Sequence, residues 1–114
     1  MFYPTAAPGY ADGVHWEVVN KARAVDNGLF AVYSNRIGKE IQNEYFGGSI
    51  IVNSRGEIIA SAENKVDDVI SVAADLAEVD SARVDVPTLR DLRHDLFMRY
   101  YSPPKYDEHI GKRY

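Results

Sequence analysis

Three features of the sequence predict an α/β protein in which helices cover a sheet. Residues 29–33 are apolar without interruption and then give way to polar Ser34, Asn35 and Arg36 ahead of Gly38, the pattern of a strand covered on both faces that delivers polar groups to one end of its sheet. Before it, Val14, Val18, Ala22 and Val25 recur at spacings of four, four and three, which places them on one face of a helix. After it, the apolar run Ile50, Ile51, Val52 is followed by Asn53, Ser54, Arg55 and Gly56 and then by Ile58 and Ile59, the signature of a β-hairpin. Residues 29–33 are accordingly read as an interior strand of a larger α/β sandwich.

Each element follows in order. Residues 2–4 read as the end of a strand that runs into a loop of small residues, and the abrupt start suggests a beginning inside a fold; an N-terminal edge strand is the alternative. Asp12 is a candidate N-cap for a helix over 13–26, which Asn27 and Gly28 stop in the left-handed conformation that helix C-termini favour. Trp16 sits off the apolar stripe. It has two readings, a pocket wall near the Thr5 loop or packing at the first helical turn, of which packing is preferred. Residues 37–44 read as a polar connection, 45–53 as a second strand in which Gly47 and Gly48 mark a bulge or a close backbone approach, and 57–62 as a third. A fourth strand is expected over 69–76, with Ile70, Val72, Ala74 and Leu76 sharing a face, then a helix over 77–83 and extended chain through Pro87. Residues 88–97 read as an amphipathic turn or two. The domain is expected to span 1–97, with a tyrosine-rich tail over 98–114 lying on a neighbouring surface.

Composition narrows the function classes. A chain of 114 residues is at most one domain, able to bury roughly two thirds of its unfolded surface. Its 46% hydrophobic and 26% charged content is that of an ordinary globular protein. No apolar run approaches the roughly 20 residues of a membrane span, and no signal segment is read at the N-terminus, so neither a membrane partner nor secretion is expected and a cytoplasmic location is. A net charge of −4 argues against nucleic acid as a partner. Zero cysteines remove disulfides, thiolate metal sites and any cysteine nucleophile. Asp91, His94 and Asp95 have a spacing that could serve a metal, but no further His or Cys supports it, so they read as a solvated, ion-paired face. No metal and no cofactor is expected. His15, His94 and His109 fall in separate segments without a serine in a GxSxG elbow, so no catalytic triad is defined. Gly47 and Gly48 lack the context of a phosphate-binding loop.

The segments YPTA, HW, ARAVDN, SNRIGKE, YFGGSIIV, RGEIIASA, DL and RDLRHDLF occur in this order between residues 3 and 97. Together they resemble the later part of the carbon-nitrogen hydrolase (nitrilase) superfamily, and among its branches the N-carbamoylputrescine amidases and related N-carbamyl amidohydrolases. The resemblance implies the C-terminal portion of an α-β-β-α sandwich, with residues 29–35 as one of its interior strands. It implies chemistry in which a cysteine thiolate attacks an amide or nitrile carbon, a glutamate acts as general base and acid, and a lysine with a backbone N–H holds the tetrahedral intermediate. All three residues precede the YPTA-like segment in the family, so no catalytic residue is expected here. A pocket-edge role carries over to Tyr3, Pro4, Thr5 and Ala6, with Trp16 as a further wall, and a structural hydrogen-bonding role to Asn35 and Arg36. Asp26 stands where the family has glutamate in its AxEN pattern, which shortens a buried acidic group, and the tail departs from the branch. The expectation is thus a C-terminal fragment or truncated member that is inactive alone. The alternatives are one half of a split hydrolase completed by another chain, and a non-catalytic assembly module. The expected partners are a second copy or a complementing N-terminal half, and a small amide or N-carbamyl substrate in the complete enzyme.

Overall fold

The strand that ends in Ser34 and Asn35 lies inside a four-stranded sheet in the computed structural model, which describes residues 1–8, 14–63 and 66–100. The elements are β1 (Phe2–Thr5), α1 (Val14–Asn27), β2 (Ala31–Asn35), β3 (Ile37–Glu40), β4 (Asn43–Phe46), β5 (Ile50–Val52), β6 (Ile58–Ser61), α2 (Ala77–Asp85) and α3 (His94–Tyr100). The main sheet has the order β1-β2-β5-β6. β1 runs parallel to β2 with Thr5 opposite Asn35, and parallel neighbours need a crossover, which α1 supplies. β5 and β6 add antiparallel strands.

The side-chain period of two sorts β2 into faces. Ala31 and Tyr33 pair with Val52 and Ile50, and these four form a buried cluster with Ala24 of α1; Tyr3, Trp16, Leu29 and Ile58 pack against it. The smallest dimension of the molecule, 20 Å, is that of one helix layer on one sheet layer.

Helix α1 faces the sheet differently from the expected stripe. Val18 is 59% exposed and Ala22 is exposed, whereas Asn20 and Ala24 are fully buried and Trp16 lies with them. Trp16, Asn20 and Ala24 are spaced by four, so they share a face. That face meets the sheet because Trp16 stacks on Tyr33, with ring centroids 6.0 Å apart. Asn20 is accommodated by donating its Nδ2 to the Trp16 carbonyl at 2.8 Å. The helix ends as expected. Gly28 takes φ +52, its N–H bonds the Val25 carbonyl and the Leu29 N–H the Ala24 carbonyl, both at 3.1 Å.

The β5–β6 hairpin forms as expected, with a register shift between Ile51 and Val52. Buried Asn53 organises its turn. Its Oδ1 accepts from the N–H groups of Arg55 and Glu57 at 3.0 and 2.9 Å, the local side-chain bonding that makes asparagine a turn former. Helix α2 closes this end of the layer: Ser54 Oγ donates to Glu78 at 2.9 Å, Arg55 reaches Asp85 at 2.7 Å, and Arg83 Nε donates to the Gly28 carbonyl at 3.1 Å.

Further expectations are corrected. Residues 37–44 are no plain connection: β3 and β4 form their own antiparallel hairpin, with Lys39 opposite Glu44 and Ile41 at φ 52 in the turn. The strand expected over 45–53 is broken, because Gly47 and Gly48 adopt φ 78 and 70 and carry the chain from β4 into β5. Residues 69–76 join no ladder; Val69 is 92% and Leu76 73% exposed, so the alternating pattern finds no partner strand among the described residues. Asp26 is exposed rather than buried, and its carbonyl accepts a hydrogen bond from Thr88 Oγ1 at 2.6 Å. The second helix runs to Asp85 instead of 83, and α3 crosses residue 97 to end at Tyr100. The tail beyond it, 101–114, lies outside the described residues, as do His109 and the expected N-cap Asp12.

Candidate functional site

β1 and β2 are parallel and finish level with each other, so their carboxyl ends converge on one rim of the sheet, where open α/β sheets place ligands. Asn35 is 9% exposed and ties that rim together. Its Oδ1 accepts from the Ala7 N–H at 2.9 Å, while its Nδ2 donates to the Gly47 carbonyl at 2.8 Å and the Ala7 carbonyl at 3.4 Å. Its backbone N–H donates to Ser49 Oγ at 3.0 Å. One side chain thereby fixes the loop after β1 against the glycine pair after β4.

Arg36 continues the clasp through its main chain. Its N–H donates to the Thr5 carbonyl and its carbonyl accepts from Gly47, both at 3.1 Å. Its guanidinium pairs with Glu40 at 2.6 Å and lies 4.9 Å from the centroid of the Tyr45 ring. The cation is therefore engaged with its own hairpin. An adjoining cavity of about 370 Å³ is lined by Asn35, Arg36, Gly48, Glu63, Asp67 and Asp68, among other residues. Among the described residues its carboxylates outnumber the single arginine, so that part of the lining is acidic.

The remaining predicted residues lie elsewhere on the layer. Thr5 meets Arg36 through its carbonyl. Tyr3 packs against the core with the Arg23 guanidinium 4.9 Å from its ring centroid, and Pro4 and Ala6 are exposed. Trp16 stands between His15, edge-on at 5.4 Å, and Tyr33, stacked at 6.0 Å. None of these five lines the cavity. Ser49 and the acidic pair Asp67 and Asp68 were not singled out from the sequence. Ser49 had a signal, since it directly follows the two glycines that were noted.

Tyr33 is 3% exposed and its hydroxyl has no hydrogen-bond partner among the described residues; burial pushes its pKa from the ordinary 10.0 up to about 12. On the far segment, Asp91 and Asp95 are held below the usual carboxylate range by hydrogen bonds from Arg90 and Arg93. His94 opens the exposed helix α3 and His15 lies on α1 beside Trp16, so no histidine of the described residues stands beside the serines at the strand end. The described residues include no His, Cys, Asp or Glu group arranged to hold a metal, and no helix long and apolar enough to cross a membrane.

A βαβ unit extended by a hairpin, with a polar clasp where its two parallel strands end, defines an α/β protein whose candidate site lies at the sheet's carboxyl rim. Residues 7–84 match the family model of the carbon-nitrogen hydrolases, and the chain belongs to that family. It is 36% identical over 111 residues to the N-carbamoylputrescine amidase of Arabidopsis thaliana, an alignment that covers 85% of this chain and 37% of that one. Nit3 of Saccharomyces cerevisiae, described as a member of branch 10 of the nitrilase superfamily, superposes with a TM-score of 0.71 at 29% identity, over 82% of this chain and 34% of that one. A carbon-nitrogen hydrolase from Helicobacter pylori G27 superposes with a TM-score of 0.74 over 99% of this chain and 41% of that one; its 24% identity shows the fold alone. The chain spans less than half the length of each of these relatives.

Proposed function

We propose that these residues form the C-terminal portion of a hydrolase of amide-type C–N bonds, with an N-carbamyl amide as the substrate class. Tyr3, Pro4, Thr5, Ala6 and Trp16 then contribute one edge of the pocket, and Asn35 and Arg36 hold its loops. The observation that carries this reading is the Asn35 clasp at the carboxyl rim in a chain whose 114 residues include no cysteine. The loops at the strand ends are held in place, and a family-type thiolate has to come from outside these residues. The cysteine, glutamate and lysine then lie outside these residues, and the 114 residues are inactive alone. The sheet is open to the rest of such a fold: Phe2 in its edge strand is 79% exposed, and apolar surface left open on a layer one helix thick is the mark of a docking face. A cytoplasmic location belongs to the same proposal.

The test is complementation. The chain is assayed for ammonia release from N-carbamyl amines, alone and after co-expression with the part of the Arabidopsis relative that precedes its matched region. Background rates alone and turnover in the complex are expected. Turnover by the chain alone, lost on substitution within it, would overturn the reading.

A further inference from the structure

The β3–β4 hairpin is a rigid piece set apart from the main sheet. It forms a two-stranded sheet of its own, and its fastenings are internal: Arg36 pairs with Glu40 at 2.6 Å, Lys39 with Glu44 at 3.7 Å, and the Tyr45 hydroxyl donates to Glu40 at 3.4 Å. Residues 38–44 are exposed throughout. Among the described residues, one bridge, from Pro8 to Tyr45, links its strands to the loop after β1. The crossings into the main sheet are short. Arg36 alone separates β2 from β3, and Gly47, Gly48 and Ser49 separate β4 from β5, with the glycines at φ 78 and 70. Hinges are a few residues at element ends that absorb a change of φ and ψ, and glycine does so at the least steric cost. The Asn35 side chain holds the Gly47 carbonyl at 2.8 Å, and the Gly47 N–H donates to the Arg36 carbonyl at 3.1 Å. The pivot is therefore anchored, while the arm beyond it belongs to no larger ladder.

The tip of the arm supplies the second observation. Ile41 is 100% exposed and takes φ 52. A β-branched residue at positive φ is a genuine outlier, and glycine or asparagine would fill such a turn without strain. In the arm as it stands the isoleucine is strained and buries nothing. Residues of this kind cluster at switch regions and ligand clamps, where the strained position serves a second arrangement. The base of the arm shows what that arrangement covers: Arg36, Ile37, Gly47 and Gly48 line the cavity of about 370 Å³ at the end of β2, whose wall also includes Val66 and Asp67. We propose that the β3–β4 hairpin is a hinged lid, which turns about Gly47 and Gly48 to lay Ile41 over this cavity and shut it from water. Its four rungs make an arm about 13 Å long, at about 3.4 Å per residue. Closure of this kind sequesters a bound molecule, and the apolar tip supplies a cover that a polar turn would not. The lid goes beyond the proposed function, because it serves whatever molecule the cavity takes and its motion is a property of these residues.

Trapping the closed arm tests this in the 114-residue chain, which has no cysteine of its own to interfere. Ile41→Cys is combined with Asp67→Cys on the cavity wall and, as a control, with Asp26→Cys, an exposed position at the end of α1. A disulfide needs Cα atoms within about 7 Å, and a fully exposed Ile41 touches nothing, so a bond to residue 67 records movement of the tip. Under dilute oxidised glutathione the first pair is expected to close within one chain at least about tenfold faster than the control, since even a closed state populated at about 1% is trapped as it forms. Gly48→Ala, which stiffens the pivot at φ 70, is expected to slow that closure at least about fivefold. An independent readout avoids the hinge substitution altogether. Spin labels at Gln42→Cys and Ser61→Cys, both exposed positions, are expected to give two distance populations by pulsed electron resonance, the shorter one being the closed arm. Equal trapping of the two cysteine pairs, disulfides formed only between copies, or a single narrow label distance would each overturn the lid. All of these outcomes are independent of amide hydrolysis, so the lid and the proposed function fail separately.

Discussion

The layer around β2 and the stretch from 66 to 100 have similar supplies of apolar residues and opposite fates for them. In the first, Ala31, Tyr33, Ile50 and Val52 are buried to 8% exposure or less by one helix and their sheet neighbours; in the second, Ala82 alone is buried. Burial is a property of neighbours, not of residues. β2 has a strand on each side and α1 above it, whereas residues 69–76 and helix α3 have no second layer within the described chain.

The contrast can be broken at its strongest point first. Asn35→Ala leaves the Ala7 N–H and the Gly47 carbonyl without their partner in a buried rim, and unsatisfied buried groups cost about 1–3 kcal/mol each. A loss of about 3 kcal/mol in urea unfolding is expected, and a loss as small as that of an exposed substitution would mean that the clasp holds nothing. Tyr33→Phe removes a buried hydroxyl that no group answers and is expected to raise stability by about 1 kcal/mol. The pH dependence sharpens this. Burial raises the Tyr33 pKa from 10.0 to about 12, so above pH 10 the unfolded chain loses this proton before the folded chain does. Stability from this group is complete below 10 and falls by about 1.4 kcal/mol per pH unit up to 12. Melting curves of the phenylalanine variant should lack that share of the alkaline decline. At the other extreme, Val69→Ser is expected to change stability by less than about 0.5 kcal/mol, the range of surface substitutions. A larger loss on calorimetry would show that the segment is packed.

What the sequence made legible follows the same division. The hairpin of 50–52 and 58–61 and the Gly28 stop were readable because local chemistry decides them: turn residues, and a glycine that can take positive φ. The inward face of α1 was not. Apolar spacing favoured Val14, Val18, Ala22 and Val25, but the sheet was met by Trp16, Asn20 and Ala24, because a stack on Tyr33 outweighs the burial of a lone valine and an asparagine can bond its own helix. The β3–β4 hairpin was hidden by its turn, where Ile41 takes the φ that an asparagine or glycine usually signals. The alternation over 69–76 was read correctly as a pattern and misread as a ladder, since a strand needs a partner that no local pattern supplies. At the site, Asn35 and Arg36 were visible as polar residues ending an apolar run. Asp67 and Asp68 were not, because only the return of the chain past β6 brings them to the cavity of the β2 end.

Every bond made by the Asn35 side chain goes to main-chain atoms: the Ala7 N–H and carbonyl, and the Gly47 carbonyl. Such a clasp reads only the backbone of residue 7, while burial keeps its side chain small, since Ala7 is 6% exposed. Exposed Ala6 beside it is the position free to change without moving the loop. That is a route by which an exposed loop position can diverge while the frame is inherited intact.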